Sequence, residues 1–266
     1  MPSTATRYCR RGRSVTHMAE LSQAQQFSGR VLRRRPHERW LGRIAGKLIA
    51  LSYRLNGKAR YDDYRLEHVL AVPLLVTPSV FNPAIPRSGA FLAAQVGALG
   101  LAGSATVLDM GSGSGVCALI AARFVHRVLA VDINAAAVRC TQINALLNRL
   151  EHRVEVRHGD LYTPVGQERF DLILFNPPFL RGAPRDDRDR AWRSRDVVER
   201  FAAGLAAHLK PGGYALVVLS SFGDAEVFLE QFARSGLAVS VEAERGFINE
   251  RLAIFRLQPS APGVAA

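Results

Sequence analysis

The sequence predicts an α/β fold, in which a doubly wound, mostly parallel sheet lies between two layers of helices as a three-layer sandwich. From about residue 88 onward, short apolar runs alternate with segments of helical periodicity, the pattern of βαβ units. Right-handed crossovers between parallel strands then place helices on both faces of the sheet. The length of 266 residues suits one large domain plus an extension, and 48% hydrophobic and 22% charged residues are ordinary for a globular protein.

Each element is predicted from its local pattern. An apolar run bounded by polar or turn residues indicates a buried strand, and apolar residues recurring every three or four positions indicate a helix. The predicted strands are 105–111, 126–134, 153–162, 170–178, 214–221 and 252–258. The predicted helices are 88–101, 115–124, 135–150, 195–212 and 224–236, the fourth of them ending at Gly212.

The region before residue 88 has a different character. Residues 1–38 lack sustained periodicity, which indicates a flexible basic leader. Residues 39–87 are interpreted as a substrate-side segment: an amphipathic helix is predicted from Leu41 to Leu55, and four prolines divide the apolar stretch 68–86 into short extended pieces and turns. The α/β domain then occupies 88–258, and 259–266 form a tail.

The formal net charge of +12 is concentrated near the N-terminus, where residues 1–70 contain 15 Lys and Arg against 5 Asp and Glu. Two interpretations stay open: a basic arm that contacts RNA or the ribosome, and an arginine-biased leader without a partner. No run of about 18 uncharged apolar residues occurs, so no stable membrane insertion is predicted. The three cysteines are scattered without metal-like spacing; this predicts no metal site, and free thiols favour a cytoplasmic location.

The segment VLDMGSGSGVCALIAARF places three glycines between a strand and a helix, where they let the backbone turn sharply and approach a ligand. One interpretation is a plain turn. A second is a dinucleotide site, since the permissive G-x-G-x-x-A form is present. Asp109 argues against the second, because its carboxylate would repel a pyrophosphate but suits a ligand with an ammonium group. The candidate ligand-binding residues are Asp109, Gly111, Ser112, Gly113 and Gly115.

Acidic residues also follow the next two strands. Asp132 ends the second strand, where a carboxylate commonly accepts hydrogen bonds from a ribose diol, and its neighbour Ile133 can cover an adenine face. Asp160 follows the third strand and can accept a hydrogen bond from the adenine amino group, with Leu161 packing beside the ring. Together these loops describe a nucleoside that carries an amino acid, which is S-adenosyl-L-methionine.

With these motifs the sequence resembles the class I S-adenosylmethionine-dependent methyltransferases over about residues 80–258. The resemblance rests on VLDMGSGSG as the glycine motif, VDIN as the ribose-binding acidic motif and HLKPGGYALVV as a helix, glycine hairpin and strand. It implies a Rossmann-like sheet of seven strands in which the last strand, 252–258, is antiparallel.

The motif NPPF follows the fourth strand, and in that family this loop faces the transferable methyl group. The Asn176 side-chain oxygen and the Pro177 carbonyl oxygen are expected to hold the two N–H bonds of a delocalised nitrogen, so that its lone pair points at the methyl group. Pro178 stiffens this corner, which preorganises the two acceptors. Phe179 is expected to lie against the flat target group, and Asn176 to border the cofactor as well.

The methyl acceptor is predicted from the wider resemblance. The Asn/Asp-Pro-Pro-aromatic motif is shared by HemK-related glutamine N5-methyltransferases of release factors and by adenine N6- and guanine N2-methyltransferases of RNA. The segments after NPPF resemble the HemK-related enzymes most, which predicts a protein side-chain amide. Upstream, Pro83, Ser88 and Leu92 fit that family's pattern, whereas Arg87 replaces an acidic residue.

The candidate substrate-binding residues are Phe81, Pro83, Arg87 and Trp192, the last of which lies in an arginine-rich loop beside NPPF. An RNA base and a small metabolite remain alternative acceptors. The alternative from another class is an NAD-dependent oxidoreductase. The oligomeric state is left open.

Overall fold

The computed structural model describes residue 32 and residues 63–84, 87–184, 192–248 and 250–260. The predicted leader, apart from Leu32, and the predicted amphipathic helix between Leu41 and Leu55 lie outside these ranges. Within the ranges, no helix is long and apolar enough to cross a lipid bilayer.

The described chain contains eleven strands and five helices. The strands are β1 (Arg65–Val69), β2 (Val72–Val76), β3 (Thr106–Met110), β4 (Arg127–Asp132), β5 (Val154–His158), β6 (Phe170–Phe175), β7 (Leu180–Arg181), β8 (Arg193–Ser194), β9 (Leu209–Ser220), β10 (Leu237–Gly246) and β11 (Arg251–Pro259). The helices are α1 (Arg87–Ala98), α2 (Val116–Ala122), α3 (Ala135–Leu147), α4 (Val197–His208) and α5 (Ala225–Arg234).

Seven strands form the central sheet in the order β10-β11-β9-β6-β3-β4-β5. Strand β11 runs antiparallel to both of its neighbours, whereas β3, β4, β5, β6 and β9 pair in parallel. The predicted α/β fold with seven strands and an antiparallel last strand is therefore confirmed. Because β3 lies between β4 and β6, the strand order reverses there, and a crevice opens at the carboxyl ends of β3 and β6.

The core lies on both faces of the sheet, and successive residues of each strand supply the two faces in turn. In β6, Leu172 and Leu174 pack into the apolar cluster that includes residues of α1 and α2. Ile173 and Phe175 pack into the cluster that includes residues of α4 and α5. Burial on both faces explains why these strands are continuous apolar runs in the sequence.

The β1–β2 hairpin docks on α3 through two asparagines. The fully buried Asn144 accepts a hydrogen bond from the Leu75 N–H at 2.7 Å and donates to the Leu75 carbonyl oxygen at 2.9 Å. Asn148 donates to the Pro73 carbonyl oxygen at 2.9 Å. Asn144 also donates to the Ser114 carbonyl oxygen at 2.9 Å, so a single side chain joins the hairpin to the glycine loop.

Helix α4 and strand β10 differ from the prediction, and the two-residue strands β7 and β8 also have no predicted counterpart. Helix α4 ends at His208 rather than Gly212, and Leu209 already has extended torsion angles. The cause is Pro211, because a proline disfavours helical geometry in the residue before it and cannot donate within a helix. Strand β10 has no counterpart among the predicted strands. It lies at the edge of the sheet and buries few of its side chains, so its sequence lacks a strong apolar run.

Candidate active site

A cavity of about 230 Å³ opens at the carboxyl ends of β3, β4 and β6, where the strand order reverses. The predicted site residues that line it are Phe81, Pro83, Asp109, Gly111, Ser112, Gly113, Asp132, Ile133, Asp160, Leu161, Asn176, Pro177, Pro178 and Phe179. The other three predicted residues, Gly115, Arg87 and Trp192, lie outside its lining. Among the described residues, no group of three or more His, Cys, Asp and Glu side chains is placed to hold a metal ion.

The glycine loop between β3 and α2 is fixed by Thr141 of α3. The Thr141 hydroxyl donates to the Gly113 carbonyl oxygen at 3.1 Å and lies 3.2 Å from the Ser112 hydroxyl. At Gly115, φ is +85°, and a Cβ atom there would come within 2.9 Å of Thr141 Cγ2. Gly115 therefore shapes the loop and its packing on α3 without lining the cavity.

Asp132 sits at the end of β4 with both carboxylate oxygens engaged. One oxygen accepts a hydrogen bond from the Gly113 N–H at 2.8 Å, and the other accepts from the Asn134 N–H at 2.8 Å. Burial raises the pKa of Asp132, and the backbone N–H donors partly oppose that rise. Each carboxylate oxygen has a second lone pair, so the carboxylate can still accept hydrogen bonds from a diol in the cavity. The half-exposed Ile133 follows it at the cavity wall.

Asp109 lies deeper in the cavity wall. One of its oxygens accepts a hydrogen bond from the Ala118 N–H at 2.9 Å. Its pKa is raised to about 7, mainly because burial removes the carboxylate from water, and the negative charge of Asp132 adds to the rise. Two neighbouring carboxylates disfavour a further negative charge and favour a cationic ligand. The two carboxylates, as hydrogen-bond acceptors, therefore fit the ammonium group and ribose of S-adenosyl-L-methionine better than a pyrophosphate.

Asp160 is paired with a residue that the sequence patterns do not single out. Arg200 of α4 donates from Nη1 to Asp160 Oδ2 at 2.5 Å, and its Nε lies 3.2 Å from Asp196 Oδ1. Arg200 also lines the cavity. Arg200 therefore engages one oxygen of the predicted adenine acceptor, and the second oxygen of Asp160 is the one available to a ligand.

Asn176 presents its two amide atoms to different environments. Its Nδ2 donates to the Ser88 hydroxyl oxygen at 3.2 Å. Its Oδ1 is buried and accepts no hydrogen bond from any group of the described chain. Buried polar atoms without a partner are rare, and at the wall of a cavity such an atom indicates a place for a ligand donor.

The turn after β9 and the β7–β8 pair hold the end of the NPPF loop. The Phe179 carbonyl oxygen accepts a hydrogen bond from the Asp224 N–H at 2.9 Å. The next residue, Leu180, donates from its N–H to the Trp192 carbonyl oxygen at 2.9 Å. Phe179 itself is buried and lines the cavity.

The four predicted substrate-binding residues divide into two groups. Phe81 and Pro83 line the cavity, and Trp192 makes an edge-on contact with the Phe81 ring at 4.9 Å between centroids. The Arg87 guanidinium lies 4.4 Å from the centre of the Phe247 ring, next to the β10–β11 turn and outside the cavity lining. The structure thus brings three of the four together, and substrate binding by any of them stays a prediction.

Thr141, Asn144 and Arg200 are supporting residues that the sequence patterns missed. Only Asn144 has a readable signal: Asn144 and Asn148, four positions apart, form a polar pair on one side of a helix whose neighbouring positions are largely apolar. Arg200 has no such signal, because its partner Asp160 is brought to it only by the packing of α4 on the sheet.

Comparisons with known proteins agree with this geometry. Residues 74–247 match the family model described as the methyltransferase small domain. A release factor glutamine methyltransferase of Geobacter sulfurreducens is 33% identical over 177 residues, which cover 61% of this chain and 60% of the relative. One from Gloeobacter violaceus is 31% identical over 206 residues, covering 71% and 68%.

A ribosomal RNA small subunit methyltransferase C of Alcanivorax borkumensis is 37% identical over 112 residues, covering 42% of this chain and 31% of the relative. The chain thus spans about 60% of the length of the Geobacter relative and about a third of the length of the Alcanivorax relative. Among solved structures, the 16S rRNA N2 G1207 methyltransferase of T. thermophilus, in complex with AdoMet and guanosine, has a TM-score of 0.57 and 25% identity. That match covers 75% of this chain and 50% of the other.

Proposed function

The chain belongs to the methyltransferase small domain family and uses S-adenosyl-L-methionine, and from this premise we propose that it methylates the side-chain amide nitrogen of a glutamine in a protein. The observation that carries this proposal is the buried Asn176 Oδ1, an acceptor without a donor at the wall of the cavity. A primary amide supplies the N–H donor that this oxygen lacks.

Methylation of an amide nitrogen requires a hydrogen-bond acceptor at the position of Asn176 Oδ1. When bound, S-adenosyl-L-methionine supplies an electrophilic methyl group on a sulfonium. An amide nitrogen is a poor nucleophile, because its lone pair is delocalised into the carbonyl group. Asn176 Oδ1 accepts one N–H of the target amide, and the Pro177 carbonyl oxygen accepts the other. These two bonds orient the nitrogen, so the benefit is preorganisation. As the new N–C bond forms, the sulfonium S–C bond breaks and its electron pair stays on sulfur, and the positively charged methylated nitrogen then releases its proton to water.

The rest of the NPPF loop keeps these acceptors in place. Pro177 and Pro178 have fixed φ angles, and the Phe179 carbonyl oxygen is held by the Asp224 N–H. Phe179 lines the cavity and offers a flat apolar surface to the amide plane. A loop that cannot relax keeps the distance between acceptors and target nitrogen constant during the reaction.

A protein acceptor is favoured by relatives that carry glutamine methyltransferase in their names. Besides the release factor enzymes, a ribosomal protein uL3 glutamine methyltransferase of Bradyrhizobium diazoefficiens is 34% identical over 153 residues. The proposed location is the cytoplasm, because Cys117 and Cys140 are free thiols, which are typical of a reducing compartment.

An RNA base is the second candidate acceptor. It is favoured by the 37% identity to a ribosomal RNA methyltransferase and by the 15 Lys and Arg within residues 1–70. An exocyclic base nitrogen is also delocalised and would use the same two acceptors. RNA binding would make activity fall steeply with salt, because phosphate contacts release counterions.

The two candidates are separated by the chemistry of the product. The protein is incubated with S-adenosyl-L-methionine tritiated at the methyl group and with a cell extract, which is then divided into protein, RNA and small molecules. Acid hydrolysis of N5-methylglutamine yields glutamate and volatile labelled methylamine, whereas a methylated base keeps its label. Labelled methylamine from the protein fraction is the expected result, and label only in RNA or in small molecules would contradict the proposal.

Two variants control this experiment. Asn176→Ala removes the orienting oxygen and is expected to lower incorporation by about 100-fold or more, the effect typical of losing one preorganised hydrogen-bonding group. Gln95→Ala removes a side-chain amide from the opposite end of α1, where it donates to Glu242 at 3.4 Å, and incorporation should stay within about twofold of the unaltered protein.

A further inference from the structure

We propose that Ser88 is a positioning residue, whose hydroxyl group anchors one end of the Asn176 amide and so fixes the amide plane beside the methyl acceptor. The inference rests on the proposed role of Asn176 and adds a residue that acts through it. The Ser88 hydroxyl oxygen lies 3.2 Å from Asn176 Nδ2, and Ser88 is 1% exposed. The contact is therefore shielded from water that could replace it.

A serine hydroxyl group can accept a hydrogen bond from an amide NH₂ or donate one to an amide oxygen. In the structure, Asn176 Nδ2 donates to Ser88, and Oδ1 faces the cavity, where it can accept an N–H of the target. The contact with Ser88 therefore fixes the position and the plane of the amide, and the N–H of the bound target selects the orientation in which Oδ1 faces it.

Ser88 itself is held by its neighbours in the first turn of α1. At the adjacent Gly89, an added Cβ atom would make ordinary van der Waals contacts, 3.7 Å from Val116 Cγ1 and 3.8 Å from Asn176 Nδ2, so α1 faces α2 and the amide at a distance of about one methyl group. On its other side, Arg87 stacks over the ring of Phe247 at 4.4 Å. Contacts on both sides of Ser88 keep its hydroxyl group at a constant distance from Asn176.

The first test measures methyl transfer to the protein fraction of the extract as a function of acceptor concentration. Ser88→Ala is expected to lower kcat by about tenfold, since a modestly misplaced group can lose one to two orders of magnitude. The KM for the acceptor and the Kd for S-adenosyl-L-methionine should stay within about twofold. Ser88→Thr keeps the hydroxyl group and should recover most of the lost kcat.

A matched control removes another hydrogen-bonded hydroxyl group. Thr106 is half-buried at the amino end of β3, opposite the cavity, and its hydroxyl group donates to Asp171 at 3.0 Å. Thr106→Val should affect stability more than kcat. If Ser88→Ala and Thr106→Val lower kcat equally, or if Ser88→Thr fails to recover it, the positioning role is wrong.

The second test does not depend on turnover or on the identity of the acceptor. The side-chain NH₂ signals of Asn176 are assigned in a ¹H–¹⁵N spectrum by their absence in Asn176→Asp. Ser88→Ala should shift these signals and accelerate their hydrogen exchange, and Thr106→Val should leave them unchanged. Unaltered signals in Ser88→Ala would overturn the inference even if the protein methylates an amide.

A double substitution distinguishes positioning of the amide from a general effect of Ser88. In Asn176→Ala, the side chain through which Ser88 acts is absent. Adding Ser88→Ala to this variant should lower kcat by less than about twofold, compared with about tenfold in the unaltered protein. An equal loss in both backgrounds would refute the inference.

Label found only in RNA would refute the proposed acceptor, and the same comparison would then be made on the RNA fraction.

Discussion

Gly223 lies directly against the main chain of Phe179: a Cβ atom added at Gly223 would come within 2.8 Å of Phe179 Cβ, and closer still to the Phe179 carbonyl oxygen. The next residue, Asp224, donates from its N–H to that same oxygen at 2.9 Å and accepts from the Arg181 N–H at 2.8 Å. The turn after β9 therefore fixes the end of the NPPF loop, and the shape of the proposed acceptor site depends on a segment distant in sequence.

Gly223→Ala is expected to displace Phe179, because the added methyl group meets backbone atoms that cannot rotate away. Overpacking of this kind typically costs about 1–3 kcal/mol of stability, and a shift of about 1 Å in a catalytic loop lowers turnover by about 100-fold. The measurements are kcat for methyl transfer and the free energy of unfolding in urea. Gly246→Ala is the matched control, since an added Cβ atom there meets nothing within 4 Å. Full activity of Gly223→Ala would show that the loop tolerates this displacement.

Asn144→Ala is expected to destabilise the protein by about 3 kcal/mol, because it leaves the Leu75 N–H and the Ser114 carbonyl group without their buried partner. The Leu75 carbonyl oxygen loses the same amide and keeps the Cys140 thiol as a donor at 3.2 Å. The β1–β2 hairpin and the glycine loop should loosen together, since both are bound to this side chain. Urea denaturation measures the first effect, and hydrogen exchange at Leu75 and at the glycine loop measures the second. Asn148→Ala removes a half-buried amide from the same helix and should cost less, so equal losses would contradict the central role of Asn144.

The fold was predictable because the period of the apolar residues can be read locally, and because parallel strands collect their carboxyl ends at one edge of the sheet. That rule alone brings Asp109, Asp132, Asp160 and Asn176 to one cavity, although they lie at the ends of four different strands or just beyond them. The residue types then indicate the ligand. Strand β10 was not predicted, because an edge strand with few buried side chains has no strong apolar pattern.

The supporting contacts were not predictable in the same way. The pairing of Arg200 with Asp160 and the packing of Gly223 on Phe179 depend on how whole elements dock against one another. A glycine in a turn is ordinary in any sequence, and only the neighbouring backbone shows why this one is required. Ser88 matched a family pattern, but its contact with Asn176 became visible only when α1 was placed beside β6.

Asp132→Ala is expected to weaken binding of S-adenosyl-L-methionine by about 10- to 100-fold, measured by isothermal titration calorimetry. The carboxylate is the proposed acceptor for the ribose diol, and hydrogen bonds to a charged group contribute about 1.5–3 kcal/mol. It also accepts from the Gly113 and Asn134 N–H groups at 2.8 Å, so the glycine loop loses an anchor as well. Asp196→Ala removes a mostly exposed carboxylate bound to Arg200 and should have little effect. An unchanged Kd for Asp132→Ala would remove the ribose assignment.

Asp109 predicts an unusual dependence of stability on pH in the protein without cofactor. Burial raises its pKa to about 7 in the folded protein, far above its ordinary value, so the folded state binds a proton that the unfolded state has released. Stability from this group is therefore complete below about pH 4 and is lost as the pH rises toward 7, at up to about 1.4 kcal/mol per pH unit. The raised pKa of Asp132 acts in the same direction. The pKa values of Asp171 and Glu168, by contrast, are lowered in the folded protein, so the stability that these two groups contribute is lost only below about pH 4.

The measurement is the free energy of unfolding in urea between pH 4.5 and 7.5 for the unaltered protein and for Asp109→Asn. The asparagine cannot ionise, so the stability of the variant should decline much less as the pH rises. The decline that remains is the part that Asp132 contributes. Asp196→Asn, at a mostly exposed carboxylate near the same cavity, should keep the full slope. Equal slopes for the unaltered protein and Asp109→Asn would mean that Asp109 is already ionised throughout this range. Its carboxylate would then have to be stabilised by more than the single Ala118 N–H that the structure provides.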